Sequence, residues 1–127
     1  MRKISLTAAL VAATLSTAAM AADWVFMGMG QGRTVYIDRE SIRSMPDGNK
    51  RAWFWHVYAE PDEFGTTSAQ GLMEFDCKEG RIRSLQINFL KGEEVAARDN
   101  NISEWDYVAP DSRGETQLNF LCFGKLD

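Results

Sequence analysis

Two cysteines, a single histidine and a pair of carboxylates two positions apart are the side chains of this 127-residue sequence with the types and spacing for chemistry. Glu74 and Asp76, in "MEFDC", would share one face of a strand, near the separation that glycosidases use for their paired acids. That reaction needs one carboxyl held protonated in a cleft, and no neighbouring residue splits the pair, so both read as acids on a solvated face. His56 would need a Ser or Cys folded onto it to make a nucleophilic dyad. Cys77 and Cys122 lack Cys-x-x-Cys spacing and have one histidine to recruit, which argues against a redox or metal centre. "GMGQGR" fails as a dinucleotide fingerprint: Arg33 stands where the third glycine belongs, and a β-prone run follows in place of a helix. "NIS" at Asn101 matches a glycosylation sequon, which by itself carries little weight. No set of catalytic, cofactor-binding or metal-binding residues emerges, and the reading is a non-enzymatic protein without cofactors.

The N-terminus says where the chain goes. "MRK" is a positive start, "ISLTAALVAATLSTA" an apolar run diluted by Ser and Thr, and Ala19, Met20 and Ala21 offer the small residues of a cleavage site. Residues 1–21 therefore read as a secretory signal peptide and residues 22–127 as the mature domain, exported to the periplasm or secreted. A retained anchor would need about 20 strongly apolar residues. Ala22 and Asp23 follow the cleavage site, so no lipobox cysteine is there to carry lipid, and no stable membrane insertion is expected. The formal charge of −4 becomes more acidic once Arg2 and Lys3 leave, which makes nucleic acid an unsuitable partner.

Roughly 105 residues support one core and are too few for two. In an oxidising compartment an even pair of cysteines is expected to bond, and Cys77 with Cys122 is the single intramolecular pairing two cysteines allow. Along the chain, "DWVFMG" and "TVYID" read as a hairpin around "MGQGR", and Asp38 as the cap of one helical turn with Ile42 facing inward. "MPDGNK" is a turn, and "EPDEFGTTS" a long surface loop carrying Phe64. "AQGLMEFDC" and "RIRSLQINFL" form a second hairpin closed by "KEG", with Gly71 opposite Ile87 and Met73 opposite Leu85. That register puts Arg81 and Arg83 on the apolar face, where they must snorkel outward or sit beyond a bulge. "KGEEVAARDNNIS" reads as a polar stretch and "EWDYVAP" as a short extended segment. Ser112 to Glu115 is a capping box; Leu118, Leu121 and Cys122 recur at helical spacing and Gly124 ends the helix.

The strand "RAWFWHVYA" is aromatic on both faces, with Trp53, Trp55 and Val57 on one and Phe54, His56 and Tyr58 on the other. The bulkier tryptophan face is expected to lie beneath the C-terminal helix. Phe54, His56 and Tyr58 would then face outward and, with Phe64 of the long loop, form the candidate protein-binding face, whose area suits a second copy or another protein.

"ADWVFMG", "TVYIDRESIR", "RAWFWHVYAEP", "EFDC", "RIRSLQ", "WDYVAPDSRGE" and "LNFLC", in this order, resemble the surface-adhesin protein E family of Gram-negative bacteria over nearly the whole mature chain. The resemblance implies an α+β domain, a single antiparallel β-sheet with a C-terminal α-helix packed on one face and a disulfide between Cys77 and Cys122. It also implies a non-enzymatic binding protein, in some members an adhesin for host extracellular-matrix or serum proteins, and a homodimer as one form. A periplasmic enzyme inhibitor or envelope-stress factor, blocking its target with "EPDEFGTTS", is the alternative function.

Overall fold

The computed structural model describes residues 22–125. The expected signal peptide lies outside the described residues. Eight strands form one antiparallel sheet: β1 (Trp24–Gly30), β2 (Arg33–Asp38), β3 (Arg43–Ser44), β4 (Lys50–Tyr58), β5 (Ser68–Asp76), β6 (Arg81–Lys91), β7 (Glu94–Asp99) and β8 (Asp106–Tyr107). The main order is β1-β2-β4-β5-β6-β7, with β3 beside β4 and β8 beside β6. The sheet curls into a half-barrel, and one helix, α1 (Arg113–Phe123), lies in its concave side.

Local chemistry explains most boundaries. Gln31 and Gly32 alone join β1 to β2, both at positive φ (54° and 75°), the backbone of a tight two-residue hairpin turn. The Asp38 side chain accepts from the Glu40 N–H and caps a single 3-10 turn, Arg39–Ser41, after which Ile42 packs against the core. Ser112 accepts from the Glu115 N–H at the start of α1, and Gly124 closes it at φ 70°. The Glu115 carboxylate bonds the Asp111 N–H, one residue before the cap.

The β5–β6 register differs from the expected one. Gly71 does face Ile87, but Met73 faces Ser84, because Leu85 is bulged out of the ladder between Leu72 and Met73. The extra residue moves Arg83 and Arg81 opposite Glu74 and Asp76 and brings Ile82 opposite Phe75. Two cations thereby leave the apolar face, and the loop lengthens to residues 77–80. The polar stretch after β6 is a strand, β7, paired along β6. Every residue of β7 is exposed, so burial imprinted no alternation on its sequence.

Val35, Ile37, Ala52, Phe54, Phe75, Leu118 and Leu121 form the core between sheet and helix. The disulfide joins Cys77, just past β5, to Cys122 near the end of α1. It fastens the helix over the sheet end where Phe75 lies.

Candidate functional site

The register assigns each aromatic side chain to a face. Ile37 pairs with Phe54 and Val35 with His56, and Phe54 in turn pairs with Gly71 and His56 with Ala69, so these residues share the concave side. Tyr36 pairs with Trp55, Trp53 with Leu72 and Phe26 with Tyr36 on the convex side. The expected assignment of faces is therefore reversed. Phe54 is 1% exposed and packs on Phe75, ring centroids 5.5 Å apart, beneath Leu118 and Leu121. It belongs to the core and not to a binding face.

Space decides the reversal. An α-helix can settle on a sheet only where the residues between large side chains are small, and Ala52, fully buried beside Phe54, supplies that room. Two indoles at Trp53 and Trp55 would hold the helix away. The signal was present in the neighbouring strands: Val25, Val35 and Ile37 alternate with Trp24, Phe26 and Tyr36, aliphatic inside and aromatic outside.

The convex face consequently presents a run of rings. Trp55 lies 5.4 Å from Trp24 and 5.7 Å from Tyr36 (centroid distances), and Tyr36 meets Phe26 edge-on at 6.2 Å. Trp24, Tyr36, Trp53 and Trp55 are half-buried by one another and by the strands, while Phe26 is 52% exposed. The arrangement is a pre-assembled aromatic surface that runs from the edge strand β1 across β2 to β4. Sequence reasoning missed it as a site because it had placed Trp53 and Trp55 under the helix.

His56 and Tyr58 keep the concave orientation of Phe54 but lie outside the helix's footprint. With Ala69, Gly71, Met73, Ile82, Ile87 and Phe89 they line an open hollow of about 540 Å³. Arg33 closes its polar end, its guanidinium 5.1 Å above the Tyr58 ring and its Nη1 3.4 Å from His56 Nδ1. Burial first, then the nearby Arg33 and Arg113 charges, push the His56 pKa down to about 4, so the imidazole is neutral at pH 7 and Nδ1 can accept from Arg33.

Phe64 sits elsewhere. Its loop is a fixed turn: Asp62 Oδ1 accepts from the Phe64 and Thr66 N–H groups, both at 2.9 Å, and the Asp62 N–H donates to the Thr66 carbonyl. That geometry holds the Phe64 ring 72% exposed, over a separate hollow shared with Phe89, Lys91 and Ala97. Phe54, His56 and Tyr58 thus share the concave hollow, Phe54 as its buried floor, while Phe64 lies over a second hollow that has Phe89 in common with the first.

The two carboxylates are engaged in structure. Glu74, 2% exposed, takes Arg83 at 2.9 Å, Asn49 Nδ2 at 3.0 Å and Arg51 at 3.6 Å. Asp76 accepts from the Lys78 and Glu79 N–H groups and pairs with Arg81 at 2.9 Å. The Glu79 N–H, followed by Arg81, holds the Asp76 carboxyl below the usual range, the opposite of what a general acid needs. Trp105 then stacks on the Arg81 and Arg83 guanidinium groups, at 4.8 and 4.3 Å, tying the segment before β8 to the sheet.

A half-barrel of this topology, closed by a C-terminal helix through one disulfide, coincides with a family match: the model for surface-adhesin protein E covers residues 24–123. The chain belongs to that family. No curated protein and no solved structure matches it. Membership supports an adhesin-like surface protein, and the exported character and protein-binding role that go with one. No helix among the described residues is long and apolar enough to cross a membrane.

Proposed function

We propose that this protein is an exported, non-enzymatic protein-binding module whose partner docks on the convex aromatic face. The ladder of Trp24, Phe26, Tyr36 and Trp55, left open by a helix that packs on the other side, carries the reading. The exposed part of Phe26 and the half-exposed faces of Trp24, Tyr36 and Trp55 are contiguous, and a contiguous apolar patch on a monomer tends to be functional. Trp and Tyr dominate the energetics of protein interfaces, and rings already stacked on one another lose little conformational freedom when a partner arrives. Adhesion to host extracellular-matrix or serum proteins is the form that family membership favours; association with a second copy would use the same surface. Periplasm and extracellular space both suit the module, and a chain matured after the signal peptide would begin at Ala22 or Asp23 by intact mass.

The test is binding of the exported protein to an immobilised panel of matrix and serum proteins, with analytical ultracentrifugation for self-association. Trp24→Ser with Phe26→Ser should weaken whichever complex forms by about tenfold or more, the cost of losing interface aromatics. Unchanged binding in that variant would remove the convex face from the function.

One observation favours a second reading, a periplasmic enzyme inhibitor or envelope-stress factor. The Asp62-centred turn offers Phe64 on a rigid loop, as loops that block enzyme clefts do. In that case Phe64→Ser abolishes capture of an envelope enzyme while the Trp24 and Phe26 substitutions leave it intact.

A further inference from the structure

The concave hollow has Arg33 at one end and mainly apolar walls, with Arg83, Ser84, Ser103 and Asp106 as its other polar lining. Met73, Ile82, Ile87 and Phe89 supply the apolar surface above the buried Phe54, and Arg33 stands at the end defined by His56 and Tyr58. In an acidic chain, Arg33 has no carboxylate within ion-pair distance among the described residues; the arginines that do are Arg39, Arg51, Arg81 and Arg83. Its observed partners are a neutral imidazole at 3.4 Å and an aromatic face at 5.1 Å, which orient the guanidinium without neutralising it. Asp106 lies on the lining too, and among the lining residues Arg83 is already paired with Glu74, so Arg33 is the cation left to receive an anion.

The floor of the hollow also limits the class of ligand. It is made by β4, β5 and β6; β4 and β5 are laddered on both sides, and the outer side of β6 is taken by β8 at Arg81 and Ile82, by Ser103 at Ser84 and by β7 from Ile87 to Lys91. A peptide adding to a sheet needs a free edge, and this surface has none to give. A ligand that asks for one charged contact and otherwise for apolar cover fits better. The volume of about 540 Å³ lies within the range of small-molecule sites. We infer that the concave hollow binds a free fatty carboxylate, its head group on Arg33 beside His56 and Tyr58 and its acyl chain along Met73, Ile82, Ile87 and Phe89.

This inference is independent of the convex-face function, since the two sites lie on opposite faces of the sheet. Dodecanoate and dodecanol, which share a chain and differ in the head group, should be titrated into the exported protein by calorimetry and by amide NMR. Dodecanoate should bind about tenfold or more tighter than dodecanol, the worth of a charge-assisted hydrogen bond, and Arg33→Gln should remove the difference. Amide shifts should move at Met73, Ile87 and Phe89. The single histidine gives a second readout in the unmutated protein. Arg33 from β2, Arg113 from α1 and Tyr58 on its own strand are the charged and titratable groups around it, and a carboxylate placed among them should raise the His56 midpoint. Equal affinity for acid and alcohol, shifts confined to Trp24, Tyr36 and Trp55, or binding of phosphatidylglycerol vesicles or an apolar peptide with no binding of dodecanoate would each overturn the inference.

Discussion

Helix α1 depends on its tether, and removing the disulfide measures by how much. Eleven residues are too few for an isolated helix to persist in water, and this one buries only Gln117, Leu118 and Leu121. The bridge between Cys77 and Cys122 spans 45 positions. On the chain-entropy model, releasing a loop of that size returns about 4 kcal/mol of disorder to the unfolded chain. Small domains have about 5–15 kcal/mol in total, so the loss is a large share of the whole. In a domain of about 100 residues it corresponds to a fall in Tm on the order of 15–30 °C. The assay is urea unfolding of the protein and of Cys77→Ser/Cys122→Ser, chosen so that no free thiol remains, combined with amide hydrogen exchange. Exchange should rise first at Leu118 and Leu121 and only afterwards at Ile37, Phe54 and Phe75, because strands β2, β4 and β5 keep their ladders when the helix lifts. A cost under about 1 kcal/mol would refute the argument. So would unchanged protection of the helix amides, since the helix would then be held by packing alone.

Three further outcomes are expected. Phe54→Ala should cost about 3–5 kcal/mol in denaturant unfolding, as for a fully buried large aromatic, whereas Phe26→Ser on the open face should stay near 0.5 kcal/mol; the reverse ranking would restore the opposite assignment of faces. A histidine whose pKa drops from 6.5 to about 4 on folding binds its proton more readily in the unfolded chain. Its stabilisation is therefore complete above pH 6.5 and is lost as pH falls towards 4, and His56→Gln should flatten that part of the stability profile; parallel profiles would mean that the imidazole is not held neutral. Glu74→Ala should cost about 2–3 kcal/mol, because Arg83 and Arg51 lose their shared acceptor, and the loss should be visible as a lower urea midpoint at constant slope.

Local chemistry in the sequence was enough to define most elements. The Asp38 cap, the Ser112 box, the Gly124 stop and the strands around them depend on side chains bonding backbone groups a few residues away, and such bonds leave their residue types in place. The disulfide was legible for another reason: with two cysteines there is one intramolecular pairing to form. Strand β7 was not legible, because a strand exposed on both faces carries no burial pattern, and its pairing with β6 is a tertiary fact. The bulge was legible in kind, since Arg81 and Arg83 on the apolar face called for one, but its place at Leu85 follows from their pairing with Asp76 and Glu74 across the sheet. The face of β4 that the helix covers was decided the same way. "WFWHVY" is aromatic on both sides, so hydrophobicity could not choose between them; Ala52, Gly71 and Ala69 could, but only once the ladders had set them beside Phe54 and His56. Composition determined that this chain has aromatic surface to spare, and packing geometry, through the room a helix needs, determined that Trp24, Phe26, Tyr36 and Trp55 are the ones left facing out.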